Sequence, residues 1–331
     1  MSTRLVGSMR LVGVPGNPVP QGLVPSRVTT RDGRILRAAH THISDARGTV
    51  VVVCGRGDFI ERWFETIGDL TARRFAVAIF DFRAQGGSSR RYRNRSRDGL
   101  RSFREYDDDF ASVMKQVVLP DCPPPYYALG HSTGGLIVLR AVEHRNWFER
   151  AGLSAPLLGI NPGLWPMPVA RFLCRFVQSV GLGRCVLPGQ ARRPFTLADF
   201  AGNLLTSDRH RFTRAIATLE AAPELGIAGP TYGWLRAAFA ALDELDKIKG
   251  PGRFRAPVLI VAAGRDRVVD NEASRRFSRR TGLPFVVIPE ARHEILLESD
   301  PIRAQFLAAF DSFIGGDSAG DDRERLLKEA V

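Results

Sequence analysis

Along most of this chain, short apolar runs alternate with longer segments whose apolar residues recur every three or four positions. The runs predict strands at 49–54, 75–80, 126–129, 153–160, 258–263 and 285–288, the first two of them buried. The helical spacing predicts helices at 59–73, 100–118, 135–144, 272–280 and 302–314. A shorter alternating segment, 34–39, indicates an early edge strand. The order of these elements predicts an α/β fold, with a mostly parallel central sheet and helices on both faces.

Residues 161–235 interrupt this order, because they contain no clear strand and many proline and glycine residues. One amphipathic helix is indicated there by apolar residues at helical spacing, namely Val169, Phe172, Leu173, Phe176, Val177 and Val180. We therefore predict a helical cap at 161–235, inserted into a core of residues 27–160 and 236–316. Residues 1–26 are predicted to be an N-terminal arm and residues 317–331 a charged C-terminal tail.

The net charge is +12, and nearly all of the positive residues are arginine. This charge adds little to the functional prediction. The arginines are scattered, and their densest cluster, at 90–97, has no nucleic-acid-binding motif around it. We predict no nucleic-acid partner, and a basic cap suits peripheral contact with an anionic membrane surface. The four cysteines form no C-x-x-C pair, so no metal site is expected. Because the chain has no convincing signal peptide and no long apolar run, we expect a cytoplasmic protein, with the inner face of the membrane as a possible second location.

The segment Gly130-His131-Ser132-Thr133-Gly134 fits the pattern G-x-S-x-G. A predicted strand precedes it and a predicted helix follows it, which is the context of a nucleophile elbow. Such a turn strains the backbone of Ser132 and exposes its hydroxyl, while small neighbours let the backbone pack closely. We predict that Ser132 is a nucleophile. The alternative is a glycine-rich turn that happens to contain a serine.

A serine nucleophile needs a base, and an acid must orient that base. His293 is the one histidine after the insertion, and it follows the strand 285–288. Asp266 follows the strand 258–263, so both residues are expected at the carboxyl ends of strands, where open α/β sheets bind ligands. Asp270 is the alternative acid, although its position favours a helix cap. A surface role remains the alternative for His293.

Two backbone N–H groups are candidates for an oxyanion hole. One belongs to Thr133, directly after the nucleophile, and the other to Arg56, in the loop after the strand 49–54. The alternative for that loop is that Gly55 and Gly57 merely turn the chain.

Together these residues resemble the α/β-hydrolase fold, and within it the monoacylglycerol lipase and lysophospholipase group of serine aminopeptidase S33-type hydrolases. The resemblance covers roughly residues 30–315. Besides the elbow it is carried by residues 54–58, 81–88, 229–234, 264–270 and 292–294. Cys54 stands where the group usually has histidine, and Ala84 where glycine is common. The resemblance implies a Ser132–His293–Asp266 triad and a helical cap over an acyl-chain groove.

The predicted function is a serine hydrolase that cleaves the carboxylic ester of a single-acyl lipid through an acyl-enzyme, without a metal or cofactor. The candidates for the lip of the acyl groove are Leu164, Trp165, Phe172 and Phe176. Packing of the cap on the core is the alternative for each. The triad alone also allows an aminopeptidase, a thioesterase or a small-ester carboxylesterase, and the fold alone allows a non-catalytic binding module.

Overall fold

The computed structural model describes residues 9–90, 98–161, 166–190, 199–250 and 252–315. Its centre is one eight-stranded sheet with the order β1-β2-β4-β3-β5-β6-β7-β8. The strands are β1 (Leu23–Thr29), β2 (Ile35–Thr41), β3 (Thr49–Val53), β4 (Ala76–Phe80), β5 (Tyr126–His131), β6 (Arg150–Ser154), β7 (Val258–Ala263) and β8 (Phe285–Ile288). The six strands from β3 to β8 pair in parallel, and β1 and β2 pair antiparallel. The predicted mostly parallel sheet is therefore confirmed.

Helices cover both faces of this sheet. They are α1 (Phe64–Ala72), α2 (Arg104–Val113), α3 (Leu119–Asp121), α4 (Thr133–His144), α5 (Met167–Ser179), α6 (Arg209–Ala221), α7 (Tyr232–Leu245), α8 (Asn271–Thr281) and α9 (Asp300–Gly315). Successive residues of a strand point to opposite faces, so Val51 and Val53 pack with α2, α4 and α7, whereas Val50 and Val52 pack with α1 and α9. Burial on both faces explains why β3 is a continuous apolar run.

Two of the predicted strands differ from the structure. The segment predicted at the edge is β2, but it lies inside the sheet, because β1 pairs along its outer side. The strand predicted at 153–160 is β6, which ends at Ser154. Ala155 has φ 43° there, so the chain turns before Pro156 and the apolar residues that follow form a loop.

Where it is described, the segment between β6 and β7 contains the helices α5, α6 and α7 and no strand longer than an isolated bridge. Helix α7 runs across the predicted boundary at 235/236. The arm predicted at 1–26 overlaps β1, which begins at Leu23. The tail predicted at 317–331 lies outside the described residues. In the described ranges, no helix has both the length and the hydropathy needed to cross a membrane.

Candidate active site

Ser132 stands in the turn between β5 and α4. Its φ of 51° and ψ of −117° place it in the strained backbone region that the sequence predicted. The turn is tight, since a Cβ at Gly134 would collide with the carbonyl oxygens of Val53 and Cys54. A Cβ at Gly130 would lie 2.8 Å from the Cα of Gly135. Glycine is required at both positions because backbone atoms occupy the space that a side chain would need.

The three predicted catalytic side chains lie in one hydrogen-bonded chain. The Ser132 Oγ lies 3.0 Å from Nε2 of His293, whose Nδ1 lies 2.7 Å from Oδ2 of Asp266. With Nδ1–H donating to the carboxylate, Nε2 is left to accept the serine proton. His293 follows β8 and Asp266 follows β7, so both arrive at the carboxyl end of the sheet beside the turn that holds Ser132.

The carboxylate of Asp266 is fully buried and remains easy to ionise. Burial acts to raise its pKa, but the hydrogen bond and charge of His293 and two backbone N–H groups outweigh burial, so the pKa lies below its ordinary value. Those N–H groups belong to Val268 and Val269, which donate to Oδ1 at 2.8 and 3.0 Å. Asp270, the alternative acid, instead accepts the N–H of Glu272 as the N-cap of α8.

The loop after β3 lies against the nucleophile. A Cβ at Gly55 would be 3.3 Å from Cβ of Ser132. The N–H of Gly55 donates to Asp58 and that of Gly57 to Gln85, whereas no described residue accepts from the N–H of Arg56. The N–H of Thr133 likewise has no acceptor among the described residues. Both N–H groups therefore lack an acceptor among the described residues, and their role as oxyanion donors stays a prediction.

The side chain of Arg56 has a separate role that the sequence did not indicate. Its Nη2 donates to Asp98 at 2.7 Å and to the carbonyl oxygens of Ala228 and Gly229 at 2.9 Å each. Asp98 also accepts the hydroxyl of Thr231. The loop that carries the candidate oxyanion donor is therefore fixed to the segment that leads into α7.

Arg62 joins the same loop to the histidine loop. Its guanidinium donates to Asp58 at 2.9 Å and also to Glu294, the residue after His293. Burial raises the pKa of Glu294 in spite of the arginine beside it. Burial also raises the pKa of the adjacent Cys54 thiol, so this side chain is neutral. It packs at the position where monoacylglycerol lipases and lysophospholipases usually have histidine. The only sequence signal for the contact between Arg62 and Asp58 is their spacing of four residues.

His131 packs beneath the candidate site. Its Nδ1 lies 3.1 Å from the carbonyl oxygen of Ser154, and its ring lies between those of Trp63 and His293, with centroids 5.9 and 5.1 Å away. Burial, together with the nearby charge of His293, lowers the pKa of His131 to about 4. His131 is therefore neutral at neutral pH.

His131 should make stability depend on pH. Its pKa is lower in the folded state than the ordinary value of 6.5, so the unfolded chain binds a proton first and stability falls as the pH drops from 6.5 towards 4. At pH 4.5 the loss is about 2–3 kcal/mol. Urea unfolding of the wild type and of His131→Gln, at pH 7.5 and 4.5, should show a smaller loss in the variant. Equal losses in the two proteins would contradict this assignment.

The structure describes only two of the four residues predicted to line the lip of the acyl groove. Leu164 and Trp165 lie outside the described residues. Phe172 and Phe176 lie on the outer side of α5, where 69% and 54% of their surfaces are exposed and their rings stack with centroids 6.3 Å apart. Packing of these two rings on the core, the alternative considered for them, is therefore wrong.

The sheet order, the strained serine turn and the Ser–His–Asp geometry define an α/β-hydrolase. The chain belongs to the serine aminopeptidase S33 family of hydrolases, whose model matches residues 44–300. It is 32% identical to lysophospholipase L2 of Escherichia coli K12 over 283 residues, which cover 80% of this chain and 79% of that protein. The probable lysophospholipase L2 of Haemophilus influenzae is 27% identical over 290 residues, covering 85% and 89%.

Solved structures support the same fold. A monoglyceride lipase from Saccharomyces cerevisiae superposes with a TM-score of 0.68 at 21% identity, covering 90% of this chain and 98% of that one. A monoacylglycerol lipase from Paleococcus ferrophilus gives a TM-score of 0.63 at 20% identity, covering 89% and 99%. The predicted α/β-hydrolase fold is confirmed.

Proposed function

We propose that this protein is a serine hydrolase that cleaves the ester of a single-acyl lipid, either a lysophospholipid or a monoacylglycerol. The chain is a carboxylic-ester hydrolase, as its family and its relatives indicate. The observation that carries the proposed serine chemistry is the hydrogen-bonded chain from Ser132 through His293 to Asp266. Relatives named for lysophospholipids and structural neighbours named for monoacylglycerols support the substrate class.

In the proposed mechanism, the Ser132 Oγ attacks the ester carbonyl while Nε2 of His293 takes its proton. Asp266 holds the imidazole in the required tautomer and stabilises its cation. The N–H groups of Arg56 and Thr133 donate to the tetrahedral oxyanion. The protonated His293 then gives its proton to the leaving alcohol, which leaves an acyl-enzyme. Water attacks this ester as His293 takes its proton. His293 then returns the proton to the departing Ser132 Oγ, and the fatty acid is released.

We further propose that the helices between β6 and β7 form the cap and that the outer side of α5 contacts the membrane. This apolar stripe consists of Val169, Phe172, Phe176 and Val180, all of them exposed. Arg175, also exposed, lies beside the stripe and adds positive charge. An amphipathic helix with basic residues suits an anionic lipid surface. Phe172 and Phe176 would then receive the acyl chain as it leaves the bilayer.

The double change Phe172→Ser and Phe176→Ser tests this stripe. We expect hydrolysis of lysophospholipid in anionic vesicles to slow about tenfold or more, because inserting each phenylalanine contributes roughly 1.5–3 kcal/mol. Hydrolysis of soluble p-nitrophenyl butyrate should not change. Leu119→Ser, at another exposed apolar residue (44% exposed), is the matched control and should behave as wild type. Equal slowing in both variants would count against membrane contact through α5.

The substrate class is tested with p-nitrophenyl esters of increasing chain length, beside lysophospholipid, monoacylglycerol, an acyl thioester and aminoacyl anilides. We expect kcat/KM to rise with acyl length and both lipids to be hydrolysed. Faster cleavage of the anilides would make the protein an aminopeptidase, and faster cleavage of the thioester a thioesterase. A preference for the shortest esters would indicate a small-ester carboxylesterase. Each of these three results would overturn the proposal.

A further inference from the structure

Three arginines meet at a surface pocket next to the loops that carry the candidate acid and base. The pocket has a volume of about 330 Å³ and is lined by Arg265, Arg267, Arg292 and the segment 201–204. Arg265 and Arg267 flank Asp266 in sequence, and Arg292 precedes His293. Each of the three arginines is therefore the direct sequence neighbour of a candidate catalytic residue, with a Cα–Cα separation of about 3.8 Å.

The positive charge of this pocket is largely uncompensated. Arg265 pairs with Glu290, and both side chains are more than half exposed. Arg267 is exposed and forms no ion pair within the part of the chain that the structure describes. The guanidinium of Arg292 likewise contacts no carboxylate among the described residues. Three guanidinium groups therefore face one carboxylate, which leaves a site with a net positive charge.

Arg292 is held in place before any ligand binds. Its Nη1 donates to the carbonyl oxygens of Asn203 and Thr206 at 3.2 and 3.1 Å. Its backbone N–H donates to Glu298 at 2.9 Å. These contacts fix one guanidinium at the wall of the pocket, so less side-chain entropy is lost when an anion binds.

We propose that this pocket binds the phosphate of the substrate's head group, and that lysophospholipids are therefore preferred over monoacylglycerols. This inference rests on the function proposed above and narrows it. The planar guanidinium fork fits phosphate oxygens with two parallel hydrogen bonds. In a lysophospholipid only the glycerol carbons separate the phosphate from the ester, so an anion site beside the loops of Asp266 and His293 suits this substrate. A monoacylglycerol has no group to fill it.

The test variant is Arg267→Gln, which removes an exposed charge without breaking an ion pair among the described residues. The measured quantity is the ratio of kcat/KM for a lysophospholipid to kcat/KM for the monoacylglycerol with the same acyl chain, in neutral detergent micelles. We expect this ratio to fall about tenfold, which corresponds to the loss of one charge-assisted hydrogen bond. Arg253→Gln, a surface arginine paired with Glu143, is the control and should leave the ratio unchanged. An unchanged ratio in Arg267→Gln would overturn the proposal.

A binding measurement separates this proposal from the function on which it rests. Calorimetric titration with glycerophosphocholine should show binding to the wild type and weaker binding to Arg267→Gln, even if neither lipid is hydrolysed. Absence of binding to the wild type would contradict the head-group site although hydrolysis is observed. Binding of inorganic phosphate alone, with an unchanged ratio for the two lipids, would assign the pocket to free anions and also overturn the head-group proposal.

Discussion

Replacing Ser132 with alanine is expected to lower kcat for ester hydrolysis by about 10⁶-fold, because the attacking oxygen is removed. The fold should survive, since the elbow conformation at residue 132 depends on the glycines around it more than on the hydroxyl. The measurement is single-turnover hydrolysis of p-nitrophenyl butyrate, together with covalent labelling by a fluorophosphonate. The wild type should be labelled and Ser132→Ala should not.

Ser154 provides a matched control for this experiment. It is fully buried at the end of β6, and its hydroxyl has no hydrogen-bond partner among the described residues, while its backbone carbonyl accepts the N–H of Ser132. Ser154→Ala keeps that backbone contact, so activity and labelling should stay near the wild-type level. If Ser132→Ala were labelled as strongly as the wild type, the proposed nucleophile would be wrong. A wild type that neither reacts with the probe nor cleaves ester would favour the non-catalytic binding module.

The parallel part of the sheet could be predicted because its strands are short apolar runs, buried throughout in β3, β4 and β7 and partly exposed in the edge strand β8. Strands β7 and β8 match the predicted limits, and each is a short apolar run. Strand β1 was assigned in part to the N-terminal arm because it lies at the edge and contains Pro25, Ser26 and Arg27. Its pairing with β2 comes from backbone hydrogen bonds, which leave no apolar pattern in the sequence.

The positions of the candidate triad could be predicted from the sequence, because the serine turn identifies the carboxyl edge of the parallel strands as the edge that holds the site. Loops that follow later parallel strands must reach the same edge of the sheet, which brings His293 and Asp266 towards Ser132. The buried ion pairs could not be predicted in this way. Arg62 meets Glu294 from a segment more than two hundred residues away, and no local pattern marks which charges are buried together.

Arg37→Met is expected to destabilise the protein by about 3–5 kcal/mol, because it leaves two buried carboxylates without their cation. Arg37 extends from β2 and is fully buried. Its Nε donates to Asp81 at 2.6 Å, and Nη1 and Nη2 donate to Glu61 at 2.7 and 2.8 Å. Arg34→Met, in the turn between β1 and β2, partly exposed and 3.7 Å from the exposed Asp32, is the control. Its effect should stay within about 0.5 kcal/mol, and urea unfolding of both variants measures the difference.

The destabilisation by Arg37→Met should also depend on pH with a definite sign. Burial already raises the pKa of Glu61 in the wild type, although Arg37 acts to lower it. Without the arginine this pKa rises further above its unfolded value, so the penalty is complete at high pH and decreases as the pH falls through the folded pKa. The destabilisation should therefore be smaller at pH 5 than at pH 8. The double variant Arg37→Met, Glu61→Gln removes one of the stranded charges, so it should recover part of the lost stability at pH 8 and show a weaker dependence on pH. A constant destabilisation across this range would mean that the loss comes from packing around the Arg37 side chain and not from the unpaired carboxylates.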